Sequence, residues 1–99
     1  MKVEILRTAE DDLVNGYRFY ERQEPGIGNY FLETLFAEID SLEFYAGAHN
    51  RKWGKFRMLS RRFPFGVFYT IEKDTAYVTA VLDLRRRPSY LKRQIRRTN

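Results

Sequence analysis

The chain has 99 residues, 43% apolar and 16% aromatic side chains, no cysteine and a net charge of +5. This length predicts a single domain over 1–99 that buries roughly 60–65% of its unfolded surface, and the missing cysteines exclude disulfides and thiolate chemistry. No stretch approaches the roughly 20 apolar residues of a membrane span, and Met1-Lys2-Val3-Glu4-Ile5-Leu6-Arg7 lacks the apolar segment of a signal peptide, so a cytoplasmic protein with no membrane partner is expected.

Lys2 to Leu6 alternates polar and apolar residues, as a short strand does. Thr8 is the expected N-cap of a first helix, with Glu10, Asp11 and Asp12 in its first turn and Ala9, Leu13, Tyr17 and Tyr20 as its apolar stripe. Pro25-Gly26-Ile27-Gly28 breaks that helix. A second follows, with Ile27, Phe31, Leu35, Ile39, Leu42 and Ala46 at 3- to 4-residue steps, so the two predict an antiparallel hairpin. Residues 47–54 read as a loop. Strands are expected over Lys55–Arg61, Phe65–Glu72 and Thr75–Leu84, with Lys73-Asp74 turning between the last two. In the last strand Ala76, Val78, Ala80 and Leu82 alternate with Tyr77, Thr79, Val81 and Asp83, which predicts one apolar and one mixed face. Residues 89–97 are a short basic tail with helical character, open to a partner. The order β-α-α-β-β-β predicts an α+β fold: a small, mostly antiparallel sheet with an N-terminal helical hairpin on one face.

Charge is divided unevenly. Residues 1–50 carry 4 Lys/Arg against 10 Asp/Glu, whereas residues 51–99 carry 14 against 3. The cations form two clusters, as an electrostatic footprint for nucleic acid or an acidic protein does. One is Arg51, Lys52, Lys55 and Arg57, interleaved with Trp53 and Phe56. The other is Arg85-Arg86-Arg87, stopped by Pro88 and followed by Lys92 and Arg93. Either Trp53 stacks on a base or it anchors its loop to the sheet. His49, the single histidine, reads as an exposed loop residue. One histidine and no acid pair at ligand spacing leave metal chemistry and a cofactor unsupported.

The order of elements and several local motifs resemble the RelE/ParE toxin superfamily of bacterial type II toxin–antitoxin modules, the plasmid-stabilisation type. The motifs are Ala9-Glu10-Asp11-Asp12-Leu13, Phe19-Tyr20-Glu21, Pro25-Gly26-Ile27-Gly28, Arg62-Phe63-Pro64-Phe65-Gly66-Val67-Phe68-Tyr69 and Ala80-Val81-Leu82-Asp83 leading into Arg85-Arg86-Arg87-Pro88. The resemblance spans essentially the whole chain. It implies a toxin neutralised by a cognate acidic antitoxin, which also supplies any contact with operator DNA. The target is then DNA gyrase for a ParE-like member, or ribosome-bound mRNA for a RelE-like, metal-free endoribonuclease.

Metal-free RNA cleavage needs a base, an acid and cations for the charge that builds on phosphorus. The resemblance places Arg86 or Arg87 near the nucleases' arginine after the last strand, and Tyr90 near their C-terminal aromatic. Gly66 stands at about the position where those nucleases carry another arginine, and Arg57 is a candidate to reach the site from the neighbouring strand. This departure makes a ParE-like or other non-nuclease inhibitor the expected function. The alternatives are the endoribonuclease, with catalytic candidates Arg57, Arg86, Arg87 and Tyr90, and a basic nucleic-acid-binding module or degenerate toxin. Target or antitoxin binding is expected at Arg51, Lys52, Trp53, Lys55, Arg85, Arg86, Arg87, Lys92 and Arg93. An amphipathic antitoxin segment is expected in the groove between hairpin and sheet.

Overall fold

A computed structural model describes residues 1–97. Its elements are strand β1 (Lys2–Ile5), helices α1 (Arg7–Gln23), α2 (Ile27–Asp40) and α3 (Leu42–Tyr45), strands β2 (Arg51–Lys52), β3 (Lys55–Leu59), β4 (Phe65–Glu72) and β5 (Thr75–Asp83), and helix α4 (Pro88–Arg96). The strands form one sheet in the order β1-β5-β4-β3-β2, antiparallel except where β1 joins β5 in parallel. The expected α+β architecture is the one found. It has a helical hairpin, α1 and α2, on one face and, beyond expectation, α4 on the other.

The hairpin face holds the larger core, in which Leu13, Phe31, Leu35 and Ile39 meet Val67, Tyr69, Val78 and Val81. Each such side chain contributes roughly 1.5–3 kcal/mol through burial. The predicted apolar stripe of α2 is the buried one, although a turn at Ser41 separates α2 from α3 before Leu42. Gly16 lets α1 and α2 approach closely: a Cβ at that position would lie 2.5 Å from Cζ of Phe31. Glu21 of α1 accepts the backbone N–H groups of Gly26 (3.1 Å) and Gly28 (3.0 Å), so one helix satisfies donors at the start of the next.

The expected cap at Thr8 does not form. The helix begins after Leu6 without a side-chain cap, and the Thr8 hydroxyl donates instead to the Thr79 carbonyl at 2.8 Å. Asp12, expected on the solvated first turn, is only 8% exposed. β1 pairs with β5 only as far as Val78, so the β5 edge beyond faces α1, and Asp12 accepts the Val81 N–H at 2.9 Å. Arg97, at the end of α4, pairs with the same carboxylate at 2.5 Å and so ties three elements together.

The predicted alternation of β5 also breaks. Phe68 pairs with Ala80 but Tyr69 with Val78, leaving Thr79 as an extra, bulged residue. The bulge moves Ala80 and Leu82 to the face opposite Ala76 and Val78. There Ala80, Leu82 and Phe68 make a second core with Leu91 and Ile95 of α4. Both faces of β5 are therefore apolar, and the basic tail is a helix docked on the sheet. Within the predicted loop 47–54, β2 forms a short edge strand. Lys52 pairs with Lys55 across Trp53 and Gly54, whose φ values of 53° and 84° make a tight turn with both central residues left-handed. β3 ends at Leu59, not Arg61, because the Arg61 N–H turns to the Glu38 carboxylate at 2.9 Å. No helix among the described residues is long and apolar enough to cross a membrane.

Candidate functional site

Strand β5 stops at Asp83, and the stop organises the arginine cluster. The Asp83 carboxylate accepts from the Arg85 backbone N–H at 2.9 Å and from its guanidinium Nε at 3.0 Å and Nη2 at 2.7 Å. Burial pushes the Asp83 carboxyl up, but the bonds and charge of Arg85, with Arg86 adding, outweigh it and hold the group below its ordinary value. Arg85, expected from the sequence to bind target or antitoxin, is therefore already engaged by Asp83. Arg87 precedes the first turn of α4, Pro88 opens the helix, and the first turn carries no acid. The guanidinium of Arg86 lies over the Tyr90 ring, 3.9 Å from its centroid. Arg85, Arg86, Arg87, Ser89, Tyr90 and Arg93 line an open cleft of about 600 Å³. Guanidinium groups beside the positive end of a helix suit a phosphate or a carboxylate.

The second basic cluster is more constrained than its sequence suggests. Trp53 stacks on Phe68, with centroids 6.3 Å apart and planes 21° apart, and packs against the α4-side core together with Leu84 and Tyr90. Trp53 anchors its turn. Lys52 lies over the Trp53 ring at 5.1 Å, and Arg51 covers Phe56 at 4.7 Å while donating to the Gly54 carbonyl at 2.8 Å. Lys55 is buried, and desolvation lowers the pKa of its ammonium group. Lys92 is exposed on α4.

The structure thus gathers Arg86, Arg87, Tyr90 and Arg93 in one place and brings Trp53 to the same face of the sheet. Arg57 does not line that cleft: its stem lies on the same face, opposite Phe68 and beside Gly66, and the residue borders a second cleft with His49. Gly66 faces the α4 side, and a Cβ there would lie 3.1 Å from Leu84 Cδ2 and 3.3 Å from Arg57 Cγ. A side chain at position 66 would press on both of these neighbours. His49 is no exposed loop residue. Its Nδ1 lies 2.6 Å from the Tyr69 hydroxyl, which also accepts the Gly47 N–H at 2.9 Å, and burial lowers the imidazole pKa below 6.5.

Sequence reading overlooked Glu38 and Tyr45, which line that second cleft. They come from α2 and α3, while His49, Arg57 and Arg61 come from the loop and β3, and no spacing rule links them. Among the described residues no three His, Cys, Asp or Glu side chains gather where they could hold a metal ion.

No protein-family profile matches the chain, and no curated protein does. Among solved structures, a chain of the chromosomal ParDE TA system from P. aeruginosa superimposes with a TM-score of 0.74 at 16% identity, covering 82% of this chain and 92% of that one. At that identity the likeness establishes the fold, which is the one the RelE/ParE resemblance implies.

Proposed function

We propose that this chain is the single-domain toxin of a type II toxin–antitoxin module, acting in the cytoplasm and held inactive by a cognate acidic antitoxin. Its activity is ParE-like, directed at DNA gyrase or otherwise not nucleolytic. The fold shared with a chain of a ParDE system supports the module. Gly66 carries the choice of activity: it has no side chain at about the place where the nucleases put a cation, and Leu84 and the stem of Arg57 crowd that position. Removing one such charge-stabilising donor costs a catalyst about 10²- to 10³-fold in rate. Arg57, the candidate replacement, lines the His49 cleft and not that of Arg86 and Tyr90.

The antitoxin's acids pair with Arg86, Arg87 and Arg93. Its amphipathic segment covers the opening between α2–α3 and β3, where Tyr45 and Leu59 are 61% and 55% exposed. Any contact with operator DNA is the antitoxin's. One observation favours a second reading: Arg86 over Tyr90 is an arrangement that a RelE-like endoribonuclease would use to hold a phosphate and deliver a proton.

Inducing the chain without its antitoxin tests the proposal. DNA-damage signalling with intact messages is expected. Arrest of translation with new mRNA 5′ ends would overturn the gyrase reading in favour of the nuclease. A folded, expressed protein without effect on growth would leave a nucleic-acid-binding module or a degenerate toxin.

A further inference from the structure

Seven cations and no acid follow Asp83 in the chain. Two of them are met by acids from other elements, on either side of α4: Arg85 by Asp83 and Arg97 by Asp12. Among the described residues Arg86, Arg87, Lys92, Arg93 and Arg96 have no acid within ion-pair distance, and all five are exposed. Helical geometry sorts them. Leu91 and Ile95 are buried in one core with Phe68, Ala80 and Leu82. At roughly 100° per residue, Ser89, Lys92, Arg93 and Arg96 then share the opposite, outward face. Three cations stand there side by side, and Arg87 stands at the start of the helix.

We propose that this outward face of α4, with Arg87, binds the phosphate backbone of duplex DNA without reading its sequence. The composition of the face selects that partner. A protein partner needs apolar anchors at the centre of its interface, and none of the exposed large apolar side chains among the described residues belongs to α4. An anionic membrane needs an apolar helix face to insert, and here that face is committed to the sheet. A single strand binds by stacking its bases on free rings. Trp53, however, stacks on Phe68, and Arg86 covers the Tyr90 ring. A duplex backbone asks for cations and short polar donors, which Ser89, Lys92, Arg93 and Arg96 supply. B-form DNA sets its phosphate rims about a major groove of roughly 12 Å that admits a helix, whereas the major groove of A-form RNA is deep and narrow. Arg87 and Arg93 are shared with the antitoxin's acids, so the free chain is the DNA-binding form. Base reading of an operator stays with the antitoxin. The inference goes beyond the toxin reading and holds whether or not the chain is toxic.

Fluorescence anisotropy of the full chain with a short labelled duplex of arbitrary sequence tests it. For four phosphate contacts, affinity should fall about a hundredfold between 50 and 200 mM salt, because the logarithmic slope is about −0.9 per contact. Lys92→Gln/Arg96→Gln should make that slope shallower by about 2 at an unchanged thermal midpoint, since both side chains are exposed. Arg18→Gln/Arg22→Gln removes the same charge from exposed positions of α1 and should leave the slope nearly as it was, which separates a site from net charge. An equal loss in both variants would overturn the proposal. So would a single strand or an RNA duplex bound as tightly as the DNA duplex, or polyglutamate bound more tightly. Growth arrest does not enter the measurement, so its failure leaves the toxin reading standing.

Discussion

Replacing Gly16 by alanine probes the packing that sets the hairpin. The new Cβ would stand 2.5 Å from Cζ and 2.6 Å from Cε2 of Phe31, well inside contact distance. Phe31 is fully buried and cannot swing away, because its ring is enclosed by those of Tyr20, Phe63 and Phe65, with centroids 5.2, 5.1 and 4.9 Å away. Overpacking of this kind costs about 1–3 kcal/mol. Alanine in a helix interior returns about 0.8–1 kcal/mol relative to glycine. The net expectation is a loss of about 1 kcal/mol and at most about 2, or a fall in Tm of about 4–8 °C for each kcal/mol in a domain of this size. Urea unfolding followed by far-UV circular dichroism should show a lower midpoint at an unchanged slope. The double mutant Gly16→Ala/Phe31→Leu sharpens the test: with the ring gone, the alanine should be neutral or stabilising relative to Phe31→Leu alone. A Gly16→Ala protein as stable as the parent, or an equal penalty in both backgrounds, would refute the reasoning.

Other consequences follow from the buried polar groups. Burial raises the Asp12 carboxyl above its ordinary 3.8, despite the Val81 N–H and Arg97. The native state therefore binds the proton more tightly than the unfolded chain, and this group's contribution is fullest below pH 3.8 and lost as pH rises through the raised value. Asp12→Asn, measured by urea midpoints between about pH 3.5 and 6.5, should flatten that part of the profile. For His49 the sign is opposite: burial lowers its pKa from 6.5, so its contribution is present above pH 6.5 and lost as pH falls through the folded value. Its ring protons should titrate below 6.5 by NMR, and a midpoint above 6.5 would contradict the burial. Tyr69→Phe leaves the Gly47 N–H without its acceptor and should cost about 1–2 kcal/mol by the same unfolding assay. Arg86→Ala should reduce the salt dependence of antitoxin association with little change in the thermal midpoint, since its exposed guanidinium lies over the Tyr90 ring and its backbone bond to the Asp83 carbonyl is kept. An unaltered salt slope would remove the arginine cleft from the interface.

Local periodicity carried the elements whose buried faces are set by the chain itself. The stripe Phe31, Leu35, Ile39 and Leu42 is buried as its spacing predicts, and β4 spans Phe65–Glu72 as expected. Periodicity failed where a distant segment competes for the same backbone group. Thr8 has the chemistry of a cap, yet the carbonyl of the bulged Thr79 takes its hydroxyl. Asp12 has the position of a helix-dipole acid, yet the unpaired edge of β5 draws it inside. Neither β2 nor the docking of α4 is marked by a long apolar run; each exists because a neighbouring strand or sheet face is there to receive it.

The candidate sites divide in the same way. Arg85, Arg86, Arg87 and Tyr90 are consecutive or nearly so, and the sequence by itself determined that their charges cluster after the last strand. It equally determined a hairpin, an aromatic sheet and their order, because helix and strand periods are properties of neighbouring residues. Only the tertiary structure decided that Asp83 engages Arg85, that Leu84 and the stem of Arg57 crowd the space beside Gly66, and that the Tyr69 hydroxyl meets His49 and the Gly47 N–H. Hydrogen bonds and ion pairs act over a few ångströms in space, whatever the separation along the chain. The groups that decide this protein's chemistry lie up to dozens of residues apart, and no local pattern records their meeting.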